Sequence, residues 1–295
     1  MKTRAGRRYA IGAVSGVGSA ILFGLSAPFA KILLRKASPW LLAGLLYLGA
    51  GLGLSIVRLL ADAGRSADGP DHLQRQDLPR VLAIVVAGGA MGPVLLLVGL
   101  TRVSGVVGSL LLNLEAVFTV SLAVLVYRER LSRLESLGAL LVIAGAVVVT
   151  YRPDTWRADV VGAIAIGGAC FSWALDNNLT RQISARSPVQ IVQVKTLSAG
   201  IGNVVLAAIA GHRTPVSILP AALLLGFVSY GLSIVLDVYA LRYVGAAREA
   251  AFFAIAPFVG AVAAIPLLHE RFTANDFGAG ALMAIGIALV VRGWH

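Results

Sequence analysis

The chain has 295 residues, 58% hydrophobic and 13% charged, with a formal net charge of +11 and a single cysteine, Cys170. A soluble domain is about 45–50% apolar and about 25% charged, so this composition excludes an ordinary soluble enzyme, a disordered chain and a disulfide scaffold. The basic residues stand in small groups between apolar runs rather than in one phosphate-tracking patch, which excludes nucleic acid as the partner and points to a lipid bilayer.

In chain order, apolar runs predict spanning helices at Tyr9–Ala30, Trp40–Val57 and Val81–Thr101, all free of acidic and basic side chains. The first lacks a cleavage site and exceeds a signal peptide in length, so it counts as a span. The fourth run, Ser104–Tyr127, carries one charge, Glu115. The fifth, Ser136–Tyr151, reaches bilayer length only if Leu134 and Glu135 are included. The sixth, Val160–Leu175, continues into the polar string Asp176-Asn177-Asn178. The seventh, Pro188–Gly211, contains Lys195, and the eighth, Thr214–Leu236, is free of charge. Ala250–Leu268 is the ninth, and Phe277–Val291, extended by Ala274–Asp276, is the tenth. The longest polar stretch, Asp62–Asp77, is too short to fold alone. The pairs Gly12/Gly16, Gly49/Gly53 and Gly88/Gly92 have the spacing that lets helix backbones approach closely. With the N-terminus inside, sixteen Lys and Arg fall on the inner side, eight on the outer side, and Lys195 within a span. This bias predicts that both termini are cytoplasmic.

The sequence repeats itself. Leu100-Thr-Arg-Val103 matches Leu241-Arg-Tyr-Val244 at an offset of 141, which also pairs Glu129 with Glu270, Ser132 with Thr273, Glu135 with Asp276 and Gly145 with Gly286. Ser132-x-x-Glu135 is a capping box ahead of an apolar run, and Thr273-x-x-Asp276 is its acidic near-copy. At offsets of 149–150, Gly12 pairs with Gly162, Phe23 with Trp173, Lys31 with Arg181 and Pro39 with Pro188. The expected fold is therefore an all-α integral membrane protein of ten transmembrane helices in two five-helix repeats, 1–152 and 153–295. Five is odd, so the second repeat enters the membrane from the opposite side. The repeats are then inverted, an arrangement suited to alternating access.

The two turns Tyr127-Arg-Glu-Arg-Leu-Ser132 and His269-Glu-Arg-Phe-Thr273 resemble the end of each EamA domain in the drug/metabolite transporter superfamily. The strings Leu111-Leu-Asn-Leu-Glu115, Trp173 through Arg181, and Gly245 through Phe258 resemble a bacterial EamA subset. Where the family pattern has Gly before the turn glutamate, this chain has Arg128 and His269. The resemblance implies two EamA domains in a bacterial inner membrane. It also implies export or exchange of small organic metabolites, amino acids or drugs without ATP.

A charge at bilayer depth costs at least about 2.5–3.5 kcal/mol and needs a reason. Glu115, Asn113, Trp173, Asn177 and Lys195 are the expected substrate-binding or coupling residues. A carboxylate at Glu115 can exchange a proton or hold the ammonium group of a small-molecule substrate. Its bland alternative is a fixed ion pair with Lys195 or Arg248. Asp176, Asn178, Arg181, Asp237 and Arg248 are the expected gating residues. Against that stands the reading that the Asn residues cap the sixth helix while the arginines lie at headgroup level. Pro28, Pro93 and Pro257 mark helix breaks. Trp173, Tyr230, Phe252 and Phe253 line a pocket or pack. There is no P-loop, His-x-x-x-His pair or acidic metal cluster, so no catalytic residue, metal or cofactor is assigned, and no oligomeric state is implied. Uptake, uncoupled facilitated diffusion, a non-transporting scaffold, and an intramembrane protease using Asp176 and Asp237 remain as alternatives to an exporter.

Overall fold

The computed structural model describes residues 2–61, 72–127, 132–151, 156–183, 186–213, 215–244 and 251–293. Among them, ten helices are long and apolar enough to cross a membrane. They are α1 (Arg8–Leu33), α2 (Pro39–Leu59), α3 (Arg75–Leu100), α4 (Gly105–Val126), α5 (Arg133–Thr150), α6 (Asp159–Gln182), α7 (Val189–Ile209), α8 (Val216–Asp237), α9 (Ala251–Leu268) and α10 (Ala274–Arg292). No strand occurs among the described residues. Ten crossings return the chain to the side it left, so both termini share one face of the bundle, the terminal side. The opposite face is the far side.

Local chemistry sets the ends. Ser132 Oγ accepts the Glu135 N–H while the Glu135 carboxylate accepts the Ser132 N–H at 2.7 Å. Thr273 and Asp276 repeat this exchange ahead of α10. These boxes satisfy the first N–H groups of a helix and bring Leu134, Glu135 and Ala274–Asp276 into the spans, as bilayer length required. The sixth span runs further than its apolar stretch, to Gln182. The Asp176-Asn177-Asn178 string is therefore helical, not a cap.

Helix packing has a two-fold signature. Exchanging α1 with α6, α2 with α7, α3 with α8, α4 with α9 and α5 with α10 maps the main contacts onto one another. The α1–α8 contact becomes α6–α3, α4–α6 becomes α9–α1, and α2–α8 becomes α7–α3, while α2–α7, α4–α9 and α5–α10 map onto themselves. Two self-paired contacts cross at facing glycines. A Cβ on Gly44 would lie 3.1 Å from the Gly200 carbonyl, and one on Gly200 would lie 3.1 Å from the Gly44 carbonyl. Gly138 and Gly286 face each other in the same way. Each repeat has five spans, so the axis relating them lies in the membrane plane. All three sequence-predicted glycine pairs also sit at crossings: Gly12 and Gly16 meet Val244 and Phe252, Gly49 and Gly53 meet Leu223 and Phe227, and Gly88 and Gly92 meet Asp176 and Trp173.

The irregularities repeat too. The 3₁₀ turn Arg75–Asp77 opening α3 is matched by Val216–Ile218 in α8, and the π-helical turn Val85–Met91 by Phe227–Leu232. The helix α4 breaks at Leu112–Asn113 and α9 at Ala254–Ile255. Of the predicted prolines, Pro93 follows the π turn of α3, Pro257 restarts α9, and Pro28 lies just past a break at Leu25 in α1.

Candidate functional site

On α6, Trp173, Asp176, Asn177 and Thr180 fall at i, i+3, i+4 and i+7 and so share one face. That face meets the π turn of α3, where two glycines leave room for it. A Cβ on Gly88 would collide with the Asp176 carboxylate, and one on Gly92 would sit 2.5 Å from Trp173 Nε1. A π turn frees carbonyls from regular pairing and recurs at functional sites. Here the Gly88 carbonyl accepts hydrogen bonds from Tyr47 Oη of α2 (2.9 Å) and Trp173 Nε1 (3.0 Å). The rings of Phe23, Tyr47, Trp173, Tyr230 and Phe253 adjoin one another, with centroids 5.1–6.2 Å apart. They come from α1, α2, α6, α8 and α9, so both repeats build this apolar wall.

Beside the wall lie the charges. Lys195 Nζ of α7 donates to Asp176 Oδ2 at 2.8 Å, with side-chain exposures of 13% and 4%. Thr180 Oγ1 donates to the other Asp176 oxygen at 3.2 Å. Asn177 Nδ2 donates to Glu115 Oε1 at 2.8 Å. Asp176, Lys195 and Asp237 all lie within electrostatic reach of Glu115. Asn177 is exposed and Glu115 half-buried, although both sit within apolar spans. A carboxylate–amide pair facing hydrocarbon would be costly. Such groups face the bundle interior or a water-filled hollow.

The structure thus unites Glu115, Trp173, Asp176, Asn177 and Lys195, with Asp237 near them. The alternative of a fixed pair between Glu115 and Lys195 is not what the structure shows: the lysine reaches Asp176 across the glycines of α3, and Glu115 turns to Asn177. Asn113 lies apart from this cluster, in the break between the two segments of α4, and is 2% exposed. Its Nδ2 donates to the Leu110 carbonyl at 2.8 Å and lies 3.7 Å from Met283 Sδ of α10. Asn178 likewise turns away from the cluster, donating to the Ala174 and Thr119 carbonyls and fastening α6 to α4. Arg181 is exposed at the end of α6. Arg248 lies outside the described residues, as do residues 128–131, Glu129 among them. Sequence reasoning missed Tyr47. A tyrosine inside an apolar run was its one signal, because a buried phenol needs a hydrogen-bond partner. Cys170 is buried with Sγ near the Leu111 and Leu112 carbonyls, a packing residue as expected.

Ten spans, an inverted repeat and a polar cluster where the halves meet define a membrane transporter. The sequence model of the EamA-like transporter family matches residues 10–151 and 160–292, and the chain belongs to that family. It is 30% identical to an "Uncharacterized transporter" of Methanothermobacter thermautotrophicus over 95% of this chain and 85% of that protein. It is 28% identical to a "Probable terminal-alkyne amino-acid exporter" of Streptantibioticus cattleyicolor, over 82% of this chain and 84% of the other. A solved crystal structure superposes with a TM-score of 0.66 over 96% of this chain and 99% of its own, at 16% identity, which speaks to the fold alone.

Proposed function

We propose that the protein is a secondary carrier that exports or exchanges small organic solutes bearing a positive charge or an ammonium group. It works by alternating access in a bacterial plasma membrane, with both termini cytoplasmic and with 1–152 and 153–295 as its two moving repeats. The observation that carries this reading is the Glu115–Asn177 pair, open at bilayer depth beside the buried Asp176–Lys195 pair. With Lys195 matched by Asp176 and Glu115 paired with the neutral Asn177 amide, the Glu115 carboxylate leaves the cluster acidic. An acidic hollow attracts cations and repels phosphorylated or carboxylate-only solutes. The adjoining aromatic rings suit an apolar or cationic solute body. The exporter name borne by the Streptantibioticus cattleyicolor relative supports an amino-acid-like solute. In this reading a proton and the solute compete for Glu115, which couples them without ATP, cofactor or catalytic step. The protease alternative loses support because Asp176 is bound to Lys195 and Thr180 rather than to a second aspartate.

The test is reconstitution into liposomes with labelled amino acids and organic cations, with and without a pH step. Solute flux that responds to the step in the parent, and loses that response in Glu115→Gln, is the expected result. Flux and pH profile unchanged by Glu115→Gln would refute the role of Glu115. No flux of any solute in the parent would refute the carrier.

A further inference from the structure

The far side of the bundle carries a second polar arrangement, distant in sequence from the hollow and built on the turn between α3 and α4. A helix end leaves carbonyls without partners and a helix start leaves N–H groups without partners. Lys31, near the end of α1, donates from Nζ to the Leu100 carbonyl at 2.7 Å and to the Val103 carbonyl at 2.5 Å. Glu270, just past α9, accepts the Gly105 N–H at 2.7 Å on Oε1 and the Val106 N–H at 2.9 Å on Oε2. A cation therefore holds the carbonyl end of α3 and a carboxylate holds the amide end of α4, the signs that helix dipoles favour. Neither contact is local: Lys31 reaches across 69 and 72 residues, and Glu270 across 164 and 165. Glu270 also joins the two repeats. The residue before it, His269, adopts the left-handed conformation at φ 56°.

The surroundings give this cluster a task. The tip of α1 from Ser26 to Ala30 packs on α9 and on the first segment of α4, and Ser26, Ala27, Pro28 and Ala30 are buried. Gly105 through Leu111 are all buried. The far half is shut where α1, α4 and α9 meet, whereas Asn177, near the terminal-side end of α6, is exposed.

We propose that Lys31 and Glu270 form the latch that keeps the far mouth closed, and that both must release the α3–α4 turn before the site can face that side. The proposal rests on the carrier reading for its purpose, but its test reads opening and not flux. Ser109 lies behind the latch, 1% exposed, and its hydroxyl has no partner among the described residues. Ser109→Cys in a Cys170→Ala background is thus a mild probe. The maleimide labelling rate of the purified protein in detergent is measured with Glu270→Gln, with Lys31→Met, and with the control Thr273→Ala, which removes part of a cap on α10 and leaves the α3–α4 turn untouched. Each latch variant is expected to raise the rate about tenfold or more, the factor matching loss of one charge-assisted hydrogen bond. The control and Lys31→Arg should label at the parent rate. Latch variants labelling no faster than the control would overturn the proposal. In the unaltered protein the Gly105 and Val106 amides should be protected from hydrogen exchange. Free exchange there would overturn it independently of how any variant folds. Faster labelling without solute flux would keep the latch and discard the carrier.

Discussion

Breaking the Asp176–Lys195 pair gives the sharpest energetic test of the site. The Asp176 side chain is 4% exposed and has two donors, Lys195 Nζ at 2.8 Å and Thr180 Oγ1 at 3.2 Å. Lys195→Met removes the only one of these that carries charge and leaves a carboxylate buried against the α3 glycines. Removing one partner of a buried pair costs about 3–5 kcal/mol. At about 2 °C per kcal/mol for a chain of this size, the melting temperature falls by about 6–10 °C. The double variant Asp176→Asn with Lys195→Gln carries no net charge. The introduced asparagine oxygen can accept from both Thr180 and the introduced glutamine amide, so most of the loss is recovered. The measurement is scanning fluorimetry of the detergent-solubilised protein for parent, both singles and the double. The reasoning fails if Lys195→Met melts within a degree of the parent, or if the double is no better than the worse single, because coupled residues must show a large interaction energy.

Three further outcomes follow from the same geometry. A methyl group added at Gly88 meets the Asp176 carboxylate, whereas one added at Gly202 meets nothing within 4 Å. Gly88→Ala should therefore destabilise by about 1–3 kcal/mol through overpacking, while Gly202→Ala stabilises by about 0.5–1 kcal/mol through helix propensity. Equal effects in the same assay would refute the packing argument. His269→Gly should raise stability by about 1 kcal/mol, since a non-glycine residue in the left-handed region costs about that much. A lower melting temperature would mean the imidazole makes a contact worth more than the strain.

Topology was legible because hydrocarbon imposes a simple rule, that every crossing needs a charge-poor run of bilayer length. The repeat was legible because the capping boxes at Ser132 and Thr273 are local chemistry, written within four residues. Half of the site was legible for the same reason: Trp173, Asp176 and Asn177 share a face by helical spacing alone. The rest depended on tertiary contacts. The π turn of α8 and the break at Leu112–Asn113 occur without a proline in the turn that follows. In α3, Pro93 has no N–H to offer the Gly88 carbonyl five residues back, which finds donors in Tyr47 and Trp173 on two other helices. Which carboxylate Lys195 would choose was equally hidden, because the choice turns on the missing side chains at Gly88 and Gly89. The break at Leu112–Asn113 turns Asn113 toward Met283, a residue 170 positions away.

The scaffold is two-fold but the charge is not. At the repeat offsets, Asp176 corresponds to Ser26, Lys195 to Leu46 and Glu115 to Ala256. On the carrier reading, exchanging the conformations of the two halves would expose the same acidic cluster to either side. It would do so past different walls: polar residues of α6 and α7 toward the terminal side, serines and aliphatic residues of α1 and α2 toward the far side. On the carrier reading, unequal walls give unequal rates of entry and release. Unequal rates cannot by themselves drive net movement, since a carrier without a coupled gradient only equalises its solute. Direction has to come from a second species whose binding is thermodynamically linked to that of the solute. Glu115 is the cluster carboxylate that combines partial exposure with a neutral partner, Asn177, and on the proposed reading a proton and a cationic solute each occupy it only in the absence of the other. Mutual exclusion at one carboxylate would make the linkage antagonistic, and an antagonistic linkage across an inward proton gradient would move the solute outward.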